Sequence, residues 1–248
     1  MSGHSKWKQI KNKKGAADVK RGKLFSQISK LITVAARTGQ NLDMVVARAK
    51  MANMPADNIG RAIKKGQGEL GDGVQIESLI YEAYGPGGSA LLITVLTDNK
   101  NRTLAEIKTI LKKAGASFAN AGSVQYLFDR KGLIDVASDP ARSSDETELA
   151  LIEAGAEDIQ SDDEQLTVVV DPANLATVKP AIEAAGLSVI DAKLGHQPKL
   201  SLKLSAIDEA SLIELMQAID DHDDVETIET NANLGWGPGR SLSLEVGS

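Results

Sequence analysis

Four glycines fall within residues 66–73, Gly-Gln-Gly-Glu-Leu-Gly-Asp-Gly, and they divide a 248-residue chain into two stretches that obey different periodicities. Glycine here supplies a flexible joint that neither a helix nor a strand carries through. Before it, apolar residues recur at three- and four-residue steps; after it, alternating apolar runs give way to helical ones. The stretch contains a literal Gly66, Gly68, Gly71 spacing, but a dinucleotide-binding turn follows a strand and opens a helix. Here the order is reversed, so a linker is expected.

Upstream of the joint, Leu24, Phe25, Ile28, Leu31, Ile32 and Ala35 predict one helix, stopped at Gly39. Val45, Val46 and Ala49 predict a second over 42–53. Ile59, Ala62 and Ile63 predict a third, starting near Pro55. Downstream, strand-like runs at 80–84 and 90–97 flank Gly-Pro-Gly-Gly, a hairpin signal. Thr103 followed by Glu106 reads as a capping box that opens a helix through Lys113, and a third strand is expected over 124–128. Residues 131–194 then read strand, helix, strand, strand, helix, strand, the ferredoxin-like split unit. A helix at 206–219 and a strand at 225–229 follow. They cannot bury a face alone, so they are assigned to the earlier sheet. The expected fold is α+β: an amino-terminal three-helix domain and two α/β domains, the ferredoxin-like βαββαβ unit being inserted into the middle one. The expected boundaries are a basic flexible arm at 1–23, a helical domain and hinge at 24–73, a discontinuous α/β domain at 74–129 plus 200–232, the insert at 130–199 and a tail at 233–248.

Charge is segregated along the same division. Residues 1–66 hold 15 Lys and Arg against 3 Asp and Glu, whereas the remainder holds 13 against 31. An acidic body repels nucleic acid; a cationic leader attracts it, releasing counterions from the phosphates it neutralises. The candidate contacts in the leader are Lys6, Trp7, Lys8, Lys11, Lys13, Lys14, Lys20, Arg21 and Lys23. Trp7, set between two lysines, either stacks on an unpaired base or folds onto the helices. A second candidate set, Asn99, Lys100, Asn101 and Arg102, precedes a predicted helix start, where backbone N–H groups favour phosphate. Asn and Thr at that place equally serve as helix caps. The glycines at 85–88 suit either a hairpin turn or close approach to a phosphate.

Catalytic chemistry finds little support. Cysteine is absent and only His4, His196 and His222 occur. No nucleophile elbow, P-loop or zinc-protease motif is present, and no cofactor or small-molecule substrate is indicated. The run Asp220, Asp221, His222, Asp223, Asp224 lacks the alternate spacing of a calcium loop and reads as a solvated acidic surface, not a metal site. The absence of cysteine, of a long apolar run and of a secretory leader suggests a cytoplasmic protein without a membrane partner.

Several motifs in order carry a resemblance. They are Gly3-His4-Ser5-Lys6-Trp7, Lys20-Arg21-Gly22-Lys23 with Phe25, Asn53-Met54-Pro55, Asn58-Ile59, Arg61-Ala62-Ile63-Lys64-Lys65-Gly66, Tyr84-Gly85-Pro86-Gly87-Gly88 and Thr97-Asp98-Asn99-Lys100-Asn101-Arg102-Thr103. The chain resembles the YebC/PmpR family across about residues 2–230. Its departures are a short connection at 39–41, Ala83 where a glycine is usual, Gly60 inside a helix, and a tail from 234 that matches nothing in the pattern. The resemblance implies the same three-domain fold and a cytoplasmic, non-enzymatic, DNA-binding transcriptional regulator. The family also includes a mitochondrial translational activator of cytochrome c oxidase subunit I. The alternative it implies is therefore a ribosome- or ribosomal-RNA-associated translation factor acting at stalled synthesis.

Overall fold

The computed structural model describes residues 17–70, 75–137, 144–161 and 165–234. Among the described residues three helices come first: α1 (Ala17–Thr38), α2 (Leu42–Met51) and α3 (Ala56–Gly66). Their common core is Ile28, Ile32, Ala49, Met54, Ile59 and Ala62, the apolar stripe that the three- and four-residue spacing presents. Gly39 adopts φ +69 and donates its N–H to the Ala35 carbonyl at 2.9 Å, the left-handed stop that ends α1. Gly66 closes α3 against α1 so tightly that a Cβ there would lie 2.4 Å from the Thr33 carbonyl oxygen. It is thus a packing residue at the end of a helix as well as the start of the glycine-rich stretch; residues 71–74 of that stretch lie outside the described residues.

The first sheet has the order β3-β1-β2-β8, built from β1 (Glu77–Tyr84), β2 (Ala90–Thr97), β3 (Ser117–Phe118) and β8 (Val225–Thr230). Its strands pair antiparallel, and Ala90 to Leu96 on β2 is an almost wholly buried run. Helices α4 (Lys100–Lys113) and α7 (Ala206–Asp220) cover one face. Ile107, Leu111, Leu212, Leu215, Met216 and Ile219 pack there on Leu91, Ile93 and Val95. Between β3 and β8 in sequence lies the second sheet, order β5-β6-β4-β7, from β4 (Phe128–Ala137), β5 (Asp158–Ser161), β6 (Gln165–Val170) and β7 (Val189–Pro198). Helices α5 (Ser144–Glu153) and α6 (Leu175–Ala184) complete the unit, burying Leu151, Val178 and Ile182 against Ile134, Val136 and Val168. This strand order, with every neighbour antiparallel, is the ferredoxin-like arrangement. The fold is α+β, with the ferredoxin-like unit inserted into the middle one.

Three local expectations change, and one open alternative is decided. Helix α1 begins at Ala17, ahead of the expected Leu24, so residues 17–23 of the predicted flexible arm are helical. Helix α4 begins at Lys100, capped by Asn99, whose side chain accepts from the Arg102 N–H at 3.1 Å. Thr103 is therefore inside the helix and is not its cap. Of the expected strand over 124–128 only Phe128 is one: Gln125–Leu127 form a short 3-10 turn, and β4 runs unbroken from Phe128. The cause is Glu82, whose buried carboxylate accepts from the backbone N–H groups of Gly122, Val124 and Gln125 at 2.6, 2.5 and 3.0 Å. Burial would raise the Glu82 pKa, but these three bonds outweigh it and lower the pKa. The apolar alternation at Val124 and Phe128 reflects packing on Ala90 and Leu92. Finally, the glycines at 85–88 form a hairpin turn closed from outside. A Cβ on Gly87 would meet Leu204 at 2.6 Å, and one on Gly85 would meet Ser89 Oγ at 2.6 Å.

Candidate nucleic-acid interface

The predicted contacts Lys6, Trp7, Lys8, Lys11, Lys13 and Lys14 lie outside the described residues, and Lys20 is described only as part of α1. Two cations of the leader can be followed. Arg21 is exposed, its guanidinium 5.5 Å from the centre of the Phe25 ring. Lys23 donates from Nζ to the backbone carbonyl of Asp220. It opens a polar stripe of α1 at positions 23, 27 and 30 that runs along the turn between α7 and β8. Gln27 donates to the Val225 carbonyl at 2.6 Å, and Lys30 to the Asp223 carbonyl at 3.2 Å and to Asp224 Oδ1 at 2.7 Å.

Of the second predicted set, one residue reaches the same acid from the other side. Arg102 reaches Asp224 Oδ2 at 2.8 Å and Asp98 at 3.1 Å. Thr103 Oγ1 donates to Asp224 Oδ2 at 2.7 Å and lies 2.8 Å from Thr97 Oγ1. Burial would raise the Asp224 pKa; the hydrogen bonds from Lys30, Arg102 and Thr103 overcome that and hold it far below the usual carboxylate range. His222 finishes the turn, accepting the Asp224 N–H at Nδ1 and meeting Glu106 at 2.8 Å through Nε2. The acidic run is thus not uniformly solvated. Asp221 and Asp223 are exposed, whereas Asp224 is 6% exposed and joins α1 to α4. Among the described residues no group of His, Asp and Glu could hold a metal ion.

The structure therefore brings Lys23 of the basic leader and Arg102 of the 99–102 segment to the same turn, at Asp220 and Asp224. Asn99 is a cap and Arg102 is committed to two acids, while Lys100 and Asn101 are exposed at the first turn of α4. Sequence reasoning missed Gln27, Lys30, Thr103 and Asp224. The i, i+4, i+7 spacing of Lys23, Gln27 and Lys30 was the available signal for the first two.

Comparison with known proteins adds the lineage. A model of the TACO1/YebC protein N-terminal domain matches residues 5–69, and one of the TACO1/YebC second and third domain matches residues 76–232. The chain belongs to the TACO1/YebC family. A probable transcriptional regulatory protein of Desulforapulum autotrophicum is 45% identical over 241 residues, covering 94% of this chain and 97% of that one. One from Treponema denticola is 44% identical over 244 residues, covering 96% and 98%. The crystal structure of a conserved hypothetical protein from Aquifex aeolicus matches with a TM-score of 0.85 at 37% identity, over 92% of this chain and 97% of that one. TACO1/YebC relatives bearing regulatory names support a regulator's role for the chain. No described helix is long and apolar enough to cross a membrane.

Proposed function

We propose that this protein is a nucleic-acid-binding regulator of gene expression, acting on DNA as a transcriptional regulator. The observation that carries the reading is the charge segregation, with 15 Lys and Arg against 3 Asp and Glu in residues 1–66 of a chain that is otherwise acidic. Lysines of the leader, Lys6 to Lys14, neutralise phosphates. Lys100 and Asn101 add exposed donors on the first turn of α4, and Arg21 adds one on α1. Contacts of this kind position a protein on a polyanion without reading bases.

That same limit supports a second reading, a translation factor on ribosomal RNA, because phosphate contacts fit both polymers. The test is deletion of residues 2–16, which spares α1, followed by anisotropy titration on duplex DNA and sedimentation with ribosomes. Loss of DNA retention with no ribosome association supports the transcriptional reading. Association lost on deletion and abolished by RNase supports the translational one. Undiminished retention on both overturns the role of the leader.

A further inference from the structure

Helix α5 of the inserted unit buries Leu151 against the second sheet and leaves two other large apolar residues in solvent. Leu149 is 58% exposed and Ile152 54%, three positions apart and so neighbours on one helix face. One helical turn from them stand Asp145, Glu148 and Glu153, all exposed. Among the described residues none of these three carboxylates has a cationic partner. The helix itself, Ser144–Glu153, holds four acids and no Lys or Arg. Single exposed apolar residues are ordinary on a protein surface, whereas an apolar pair framed by one sign of charge is selective about what covers it. Such a frame repels nucleic acid. It fits a segment that is cationic and carries large apolar side chains of its own.

This chain carries one such segment. Of the stretches outside the described residues, 71–74, 138–143 and 162–164 are short, and 235–248 holds one Arg and one Glu. Residues 1–16 hold five lysines and no acid, with Trp7 and Ile10 set three apart among Lys6, Lys8, Lys11, Lys13 and Lys14. Sixteen residues span about 50 Å when extended. A compact chain of 248 residues has a radius of gyration of about 18 Å, so attachment at Ala17 permits the contact.

We propose that α5 is a dock for the leader of the same chain, Trp7 and Ile10 covering Leu149 and Ile152 while the lysines face Asp145, Glu148 and Glu153. Attachment in the same chain gives the leader an effective concentration on the order of millimolar, so a weak contact suffices. The acidic helix then competes with phosphate for the same lysines, and nucleic acid has to displace it. That competition rests on the proposed role of the leader; the dock itself does not.

The test reads Trp7. Trp7 and Trp236 are the only tryptophans, so Trp236→Phe leaves Trp7 as the sole indole emitter in the full chain. At low salt its emission should lie to the blue of free tryptophan and resist acrylamide quenching. Leu149→Ser with Ile152→Ser should shift the emission to the red and raise the quenching constant about twofold or more. Glu148→Lys with Glu153→Lys should do the same by reversing the frame. All four side chains are exposed, so both variants should keep the parent's melting temperature. A freely quenched Trp7 in the parent, or a signal unchanged in either variant, overturns the dock. Protection that grows with protein concentration assigns the face to the leader of a second copy and overturns the same-chain assignment. The signal needs no nucleic acid, which separates failure of the dock from failure of the proposed function. For the competition, the Leu149→Ser, Ile152→Ser chain should bind the polymer that retains the parent, duplex DNA or ribosomes, about threefold or more tightly. Equal affinity overturns the competition.

Discussion

Lys30 of α1 and Arg102 of α4 hold the two oxygens of one carboxylate, Asp224, at 2.7 and 2.8 Å. Neither cation is next to the acid in sequence, and Lys30 is 194 residues from it. The contact ties the helical unit to the first sheet by charge, beside the hydrogen bonds that Lys23 and Gln27 make to the same turn.

Replacing Asp224 by Ala should therefore cost stability. Removing one partner of a buried charged group leaves the others without compensation, and the partial exposure of Lys30 and Arg102 tempers the loss to about 2–3 kcal/mol. Urea unfolding of the variant should show a lower midpoint. Hydrogen exchange should quicken in α1 more than in β2.

Arg102→Ala and Lys100→Ala should separate a structural from a binding role. Arg102→Ala removes bonds to Asp224 and Asp98 and should lower the urea midpoint. Lys100 is exposed, so its Ala variant should fold as the parent does and lose one phosphate contact, reducing the slope of log affinity against log salt by about 0.7–0.9. An unchanged slope in the folded Lys100→Ala protein would leave the first turn of α4 outside the interface.

For the leader itself, contact with about six phosphates gives a slope of roughly −4 to −5.5 in the intact chain. Deleting residues 2–16 should flatten it. Anisotropy titrations between low and moderate salt measure both.

Glu229 should give stability a pH dependence of defined sign. Its folded pKa of about 7 lies above the ordinary 4.5, so the stability it contributes is present below pH 4.5 and is lost as pH rises through 7, by about 3 kcal/mol in all. Glu229→Gln should lack that loss. Relative to the parent, the variant should gain stability between pH 5 and pH 8 in urea unfolding. Asp224 acts in the opposite direction, its contribution being lost as pH falls below about 4.

Gly66→Ala should force α3 away from α1. A Cβ at 2.4 Å from the Thr33 oxygen and 2.7 Å from Ala36 Cβ has nowhere to go, and overpacking of this kind costs about 1–3 kcal/mol. A lowered melting temperature, with the ferredoxin-like unit unaffected, is the expected signature.

Much of this architecture was legible in the residues. The helical spacing of Ile28, Ile32 and Ala35 predicted α1, and the strand–helix order of 131–194 predicted the ferredoxin-like unit, because each pattern is local. What escaped was set by distant partners. Nothing near Val124 announces that Glu82 will draw residues 122–125 into a turn. An acidic run of five residues looks alike at every position until Lys30 and Arg102 bury one of them. Thr103 resembled a cap because its neighbours have capping chemistry, whereas Asn99 opens the helix and Thr103 turns inward to Asp224. For the interface, the leader was visible as charge, and the arrangement around α4 depended on tertiary contacts.

Because β8 follows the inserted unit in the chain, β2 has one unsatisfied edge throughout synthesis until residues 225–230 emerge. The ferredoxin-like unit has all its strands by residue 198, so its sheet can close before β8 is made. Its host waits with an apolar strand open to any other strand that arrives. Truncation anywhere after residue 198 but before 225 should consequently yield a chain that is half folded and prone to aggregate.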